Sequence, residues 1–123
     1  MKKVMKKSEI KQERFAYMIN TILNQCEKNH WKKIGLTTSS LKYRYIDKII
    51  SELNEEVKKK EMLVKVIELK PIAFSAEAVE QARLCDIIFF VEKYADSYYQ
   101  DVQRSIELAK KESISIGGVI AYR

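Results

Sequence analysis

Cysteine and histidine are scarce in this chain, with Cys26, Cys85 and His30 the only representatives in 123 residues. No CxxC spacing joins the cysteines, which leaves a thiolate metal site or a redox dithiol without a basis. Both thiols fall on apolar stripes, where a free cysteine behaves as a small hydrophobe, and a reducing compartment follows. His30 sits beside Trp31 in a turn. No carboxylate or nucleophile is set near it by local spacing, so it reads as a partly exposed cap rather than a catalytic base. No apolar run approaches the roughly 18 residues of a membrane span. The basic start, residues 1–7, is not followed by the apolar core of a secretory signal, and the expected location is the cytoplasm. With three glycines and one proline there is no flexible or proline-rich linker, and no low-complexity tract or repeat divides the chain. One domain is expected, long enough to hold a conventional core.

What is present in excess is positive charge. Lysine and arginine outnumber aspartate and glutamate by 23 to 17, a formal charge of +6. Much of it lies in Lys2, Lys3, Lys6, Lys7 and Lys11, and again in Lys58, Lys59 and Lys60. No groove-reading or base-stacking module accompanies these clusters, so they read as solvated faces rather than a specific nucleic-acid site. Nonspecific binding of nucleic acid is what charge alone would support.

Hydrophobic periodicity sets out the rest. Ser8 is expected to cap a helix running to about Asn29, with Phe15, Met18, Ile19, Ile22, Leu23 and Cys26 on one face. That face needs a cover, either the domain's own sheet or another subunit. Residues 33–38 read as a short strand, and 42–59 as a helix with Tyr45, Ile46, Ile49, Ile50, Leu53 and Val57 on its apolar side. Residues 62–69 read as a strand stopped by Pro71, and Ser75 as the cap of a helix through Leu84. Ile87 to Val91 form an unbroken apolar run, the signature of a parallel strand buried on both faces. An amphipathic segment, 97–112, and a last β-rich run from Ser115 complete a strand–helix–strand unit. The expectation is an α/β fold: a small doubly wound, mostly parallel four-stranded sheet with three crossover helices over 31–123, and an extra helix in 1–30. Sites in such sheets lie at the carboxyl ends of the strands, here the turns 38–44, 68–75 and 92–98.

Those turns carry a resemblance. Lys32-Lys33-Ile34-Gly35-Leu36-Thr37-Thr38-Ser39-Ser40 is similar to the strand entering the P-loop of the bacterial tyrosine kinases of capsule and exopolysaccharide synthesis, members of the deviant Walker-A ATPases. Glu68-Leu69-Lys70-Pro71, Ser75-Ala76-Glu77-Ala78-Val79, Cys85-Asp86-Ile87-Ile88-Phe89-Phe90-Val91 and Ile116-Gly117-Gly118-Val119-Ile120 resemble later segments of the same family, and Glu13-Arg14-Phe15 its early helix. The resemblance implies a P-loop-like fold and a role beside polysaccharide synthesis.

The loop itself departs from the family. Over Ser39, Ser40, Lys42, Tyr43, Arg44, Tyr45, Ile46 and Asp47, the family's loop glycines fall on Tyr43 and Tyr45, its lysine on Ile46 and its magnesium hydroxyl on Asp47. A phosphate cradle needs bare backbone N–H groups, a cation and a hydroxyl, and each is replaced. Glu68 keeps a carboxylate at the second acidic position, while the Asp-x-Asp strand is missing. The family's ring-building arginines fall on Ala16 and Ile19, and the sequence stops at Arg123 without a tyrosine-rich tail.

Phosphoryl transfer is mostly positioning and charge stabilisation. The expectation is therefore a catalytically empty relative with no cofactor and no metal. It would act as a binding or regulatory subunit on a kinase paralogue, on a membrane polysaccharide co-polymerase, or as a homo-oligomer, and would reach the membrane only through such a partner. The alternative is a rebuilt nucleotide or phosphate site. There Lys42, Arg44 and Lys70 would supply charge, Glu68 and Asp47 would hold a metal, and Tyr43 or Tyr45 would stack on a base. Tyr94, Tyr98 and Tyr99, at the end of the third strand, are candidate interaction or phosphorylation tyrosines.

Overall fold

The computed structural model describes residues 7–40, 46–93 and 99–122, with side chains for 16–40, 46–92 and 99–121. Eight elements follow one another: α1 (Lys7–Asn29), β1 (Lys33–Thr37), α2 (Ile46–Lys59), β2 (Lys65–Glu68), α3 (Ala76–Arg83), β3 (Ile87–Lys93), α4 (Tyr99–Lys111) and β4 (Ile116–Tyr122). The strands form one sheet in the order β2-β1-β3-β4, and every neighbouring pair is parallel. The doubly wound α/β architecture expected from the sequence is the one observed. Among the described residues no helix is long and apolar enough to cross a membrane.

Two apolar clusters flank the sheet. Ile19, Ile22, Leu23 and Cys26 of α1 and Ile46, Ile49, Leu53 and Val57 of α2 pack with Ile34, Leu36, Val66, Ile87, Phe89 and Val91. On the other face Ala78 and Ala82 of α3 and Ala109 of α4 pack with Leu69, Ile72, Ile88, Phe90 and Ile114. The cover for α1 is thus the domain's own sheet and α2. β3 contributes alternate residues to both clusters, which is why its apolar run is continuous. Small residues on α3 and α4 let these helices lie close to the sheet. Gly35 serves the same approach: a Cβ there would stand 2.7 Å from Leu69 Cδ1 and 3.1 Å from Cys85 Sγ.

The helix-to-strand turns share one geometry. His30, Glu61 and Ser113 adopt positive φ angles of 57°, 52° and 59° after α1, α2 and α4. In each turn the next residue's N–H bonds five residues back, Trp31 to Cys26, Met62 to Val57 and Ile114 to Ala109, at 2.9–3.0 Å. This is the Schellman closure, normally built on glycine, with an apolar residue following that packs back on the core. His30 is therefore a left-handed helix terminator, and it is exposed.

Several boundaries differ from expectation. Ser8 lies inside α1, because Lys7 is already helical, so it is not the cap. β2 spans only Lys65–Glu68, since its sole partner β1 offers four positions, Lys33 to Leu36. β1 stops at Thr37, and Thr38 begins the turn. Ser75 does cap α3, its Oγ accepting the Ala78 N–H at 3.1 Å. Both cysteines are free. Cys26 is buried, but Cys85 is only half-buried because it falls beyond the end of α3.

Candidate functional site at the carboxyl edge of the sheet

The strand order locates the site. The connection from β1 leaves toward β2 and that from β3 leaves toward β4, so the switch point lies between the carboxyl ends of β1 and β3. Thr38 and Ser39 stand on one side of it and Glu92 on the other. Ser39 N–H donates to Glu92 Oε1 at 2.7 Å, and Ser39 Oγ and Thr38 Oγ1 donate to Oε2 at 3.0 and 3.2 Å. All three residues are buried, Glu92 with 4 % of its surface exposed. A carboxylate leaves water at large cost unless donors replace its hydration, and this turn provides them. Thr37 Oγ1 donates to the Lys70 carbonyl at 3.0 Å, which fixes the end of β1 against the β2–α3 turn.

The sequence-derived candidates are dispersed around this point. Ser39 is in the site. Ser40 adjoins it, donating its N–H to Thr38 Oγ1 at 3.3 Å. Ile46 is a core residue, 5 % exposed beneath α2, and not a group facing a ligand. Ile19 is likewise a core residue, and Ala16 is exposed. Tyr99 opens α4 with 78 % of its surface exposed. Lys42, Tyr43, Arg44, Tyr45, Tyr94 and Tyr98 lie outside the described residues.

Asp47, in the first turn of α2, and Glu68, at the end of β2, come together at the same edge. Partial burial raises the Glu68 pKa above its ordinary value, and the hydrogen bond and charge of the Asp47 carboxyl raise it further. Among the described residues no group of three or more histidine, cysteine, aspartate or glutamate side chains is placed to hold a metal ion.

Glu92 is the residue that sequence reasoning passed over. Its signal was present: a single carboxylate directly after five apolar residues, at a strand end facing the turn 38–44. No protein-family model matches this chain, and no curated protein matches it either.

Proposed function

We propose that this chain is a nucleotide-free relative of the capsule and exopolysaccharide tyrosine kinases, acting as a binding or regulatory subunit in that cytoplasmic machinery. One observation carries the reading: the Glu92 carboxylate already takes the Ser39 N–H, the first donor that a phosphate would need after β1. A hydrogen bond to a charged group contributes roughly 1.5–3 kcal/mol. A phosphate charge about 4 Å from Glu92 would meet repulsion of about 4 kcal/mol at the effective dielectric of a protein surface. That repulsion is the larger of the two, and the position of the family's lysine holds Ile46. The polysaccharide context rests on the sequence resemblance. The partner would be a kinase paralogue or a membrane co-polymerase. Titration with ATP and magnesium should leave the thermal midpoint unmoved, and pull-down from a capsule-producing cell should recover such a partner. Micromolar ATP affinity would overturn the reading.

A second reading is favoured by Glu68, whose pKa is raised beside Asp47, since perturbed pKa values cluster at functional sites. In it, Lys42, Arg44 and Lys70 gather phosphate beside Glu68. Phosphate release from ATP or GTP that Glu68→Gln abolishes would establish it.

A further inference from the structure

We propose that the Thr38–Ser39 turn is a pre-formed receptor for a carboxylate, and that Glu92 is its covalently tethered ligand. Three features lead there. First, both oxygens of the carboxylate are engaged by separate donors, the Ser39 N–H on one and the two hydroxyls on the other. Second, the donors are buried, Thr38 with 4 % and Ser39 with 2 % of its surface exposed, so water does not compete for them. Third, the strand end and threonine that lead into Ser39 are positioned by contacts that do not involve Glu92. β1 is paired on both sides, Leu69 N–H reaches Leu36 O at 2.8 Å, Thr37 Oγ1 holds the Lys70 carbonyl, and Thr38 Oγ1 accepts the Ser40 N–H, which turns the threonine hydroxyl hydrogen outward.

The ligand class is the one these donors already hold: one N–H and two hydroxyls divide between the two oxygens of a planar carboxylate. The crevice of this doubly wound sheet therefore holds a ligand that is part of the chain. Shortening that ligand makes the crevice addressable from solution. Glu92→Ala deletes the CH2–COO⁻ fragment, and acetate returns it with the same oxygens and one methyl group.

The inference shares Glu92 with the function proposed above but does not depend on kinase ancestry. ATP binding by the unaltered protein would overturn that function, and the acetate response of a variant does not read it.

The test is the thermal midpoint of Glu92→Ala in sodium acetate against sodium chloride, at equal ionic strength and pH. Acetate should raise the midpoint of the variant saturably, as a ligand of the folded state does, and leave the unaltered protein unmoved. Adding Ser39→Ala should weaken the apparent acetate affinity about tenfold, the effect of one lost hydrogen bond to a charge. A folded Glu92→Ala that acetate does not stabilise beyond chloride would overturn the receptor. A response to inorganic phosphate equal to that of acetate would overturn its preference for carboxylates. Where Glu92→Ala shows no cooperative melt in chloride, Glu92→Gln provides the folded control. In that case recovery of a cooperative melt in acetate supports the proposal, and an unfolded chain at saturating acetate overturns it.

Discussion

The two edges of the sheet are closed by different means. At the amino edge three of the helix ends turn into strands through bonds between residues three to five apart, each around one left-handed residue. At the carboxyl edge the turn after β1 is held by a side chain 53 residues away. Asp86 and Glu92, just before β3 and near its end, each reach β1 from 53 or 54 residues away and differ in burial. Each accepts backbone N–H groups near one end of β1: Asp86 Oδ2 those of Lys32 and Lys33 at 2.7 and 3.0 Å, and Glu92 that of Ser39. Asp86 is exposed and water can take its place. Glu92 is buried, and its loss removes the acceptor of three described donors.

The largest expected effect breaks the comparison at its buried end. Glu92→Ala should lose about 2–4 kcal/mol in urea unfolding, the penalty for buried polar groups left unpaired. A loss below about 1 kcal/mol would put the two edges on the same footing. Asp86→Ala should cost less than Glu92→Ala in the same measurement, because solvated N–H groups regain hydrogen bonds to water.

The pH dependence sharpens the contrast at the exposed end. The Lys32 and Lys33 N–H groups, and then the two lysine charges, hold the Asp86 carboxyl below its ordinary pKa. A depressed folded pKa means that the unfolded chain binds the proton more tightly. The stability it confers is complete above the unfolded pKa and is lost as pH falls through the folded value. Acid titration of Asp86→Asn should lack this part of the decline, so a variant that tracks the unaltered protein at low pH would count against the assignment.

Next in size are the local turns. A left-handed residue with a Cβ costs roughly 1–2 kcal/mol, part of which glycine returns as extra freedom in the unfolded chain. His30→Gly, Glu61→Gly and Ser113→Gly should each raise stability by about 0.5–1 kcal/mol. The gains should add, since the three turns share no partner. A destabilising result at any one would show that its side chain does more than end a helix.

Smallest is Glu68→Gln. Burial and the Asp47 carboxyl raise the Glu68 pKa on folding, so the folded state holds that proton more tightly. This stabilisation is complete below the unfolded pKa and lost as pH rises through the folded one. At neutral pH the substitution should raise the thermal midpoint slightly and flatten that part of the pH profile. A lowered midpoint would show that the glutamate makes an attractive contact that outweighs Asp47.

Much of the architecture was readable from particular residues. The unbroken Ile87–Val91 run announced a strand with both faces covered, and the Ser75 hydroxyl three residues ahead of Ala78 announced a cap. The stripe Ile46, Ile49, Leu53 and Val57 gave α2 its buried side. Other features were not readable. Whether α1 covered its own sheet or a neighbour was left open by an amphipathic stripe, which records that a face is buried and not by what. The length of β2 depended on how much of β1 was there to pair with. Ile46 was aligned with a ligand-binding lysine and is a core residue, because the α2 stripe turns it toward α1 and the sheet.

The sequence by itself determined the elements, their parallel pairing and the Ser75 cap of α3, because periodicity and capping act over a turn or two of chain. It did not determine which carboxylate would face which turn. The tertiary structure decided that, by laying the end of β3 beside the end of β1, where burial converts an unremarked glutamate into the acceptor that the Thr38–Ser39 turn depends on.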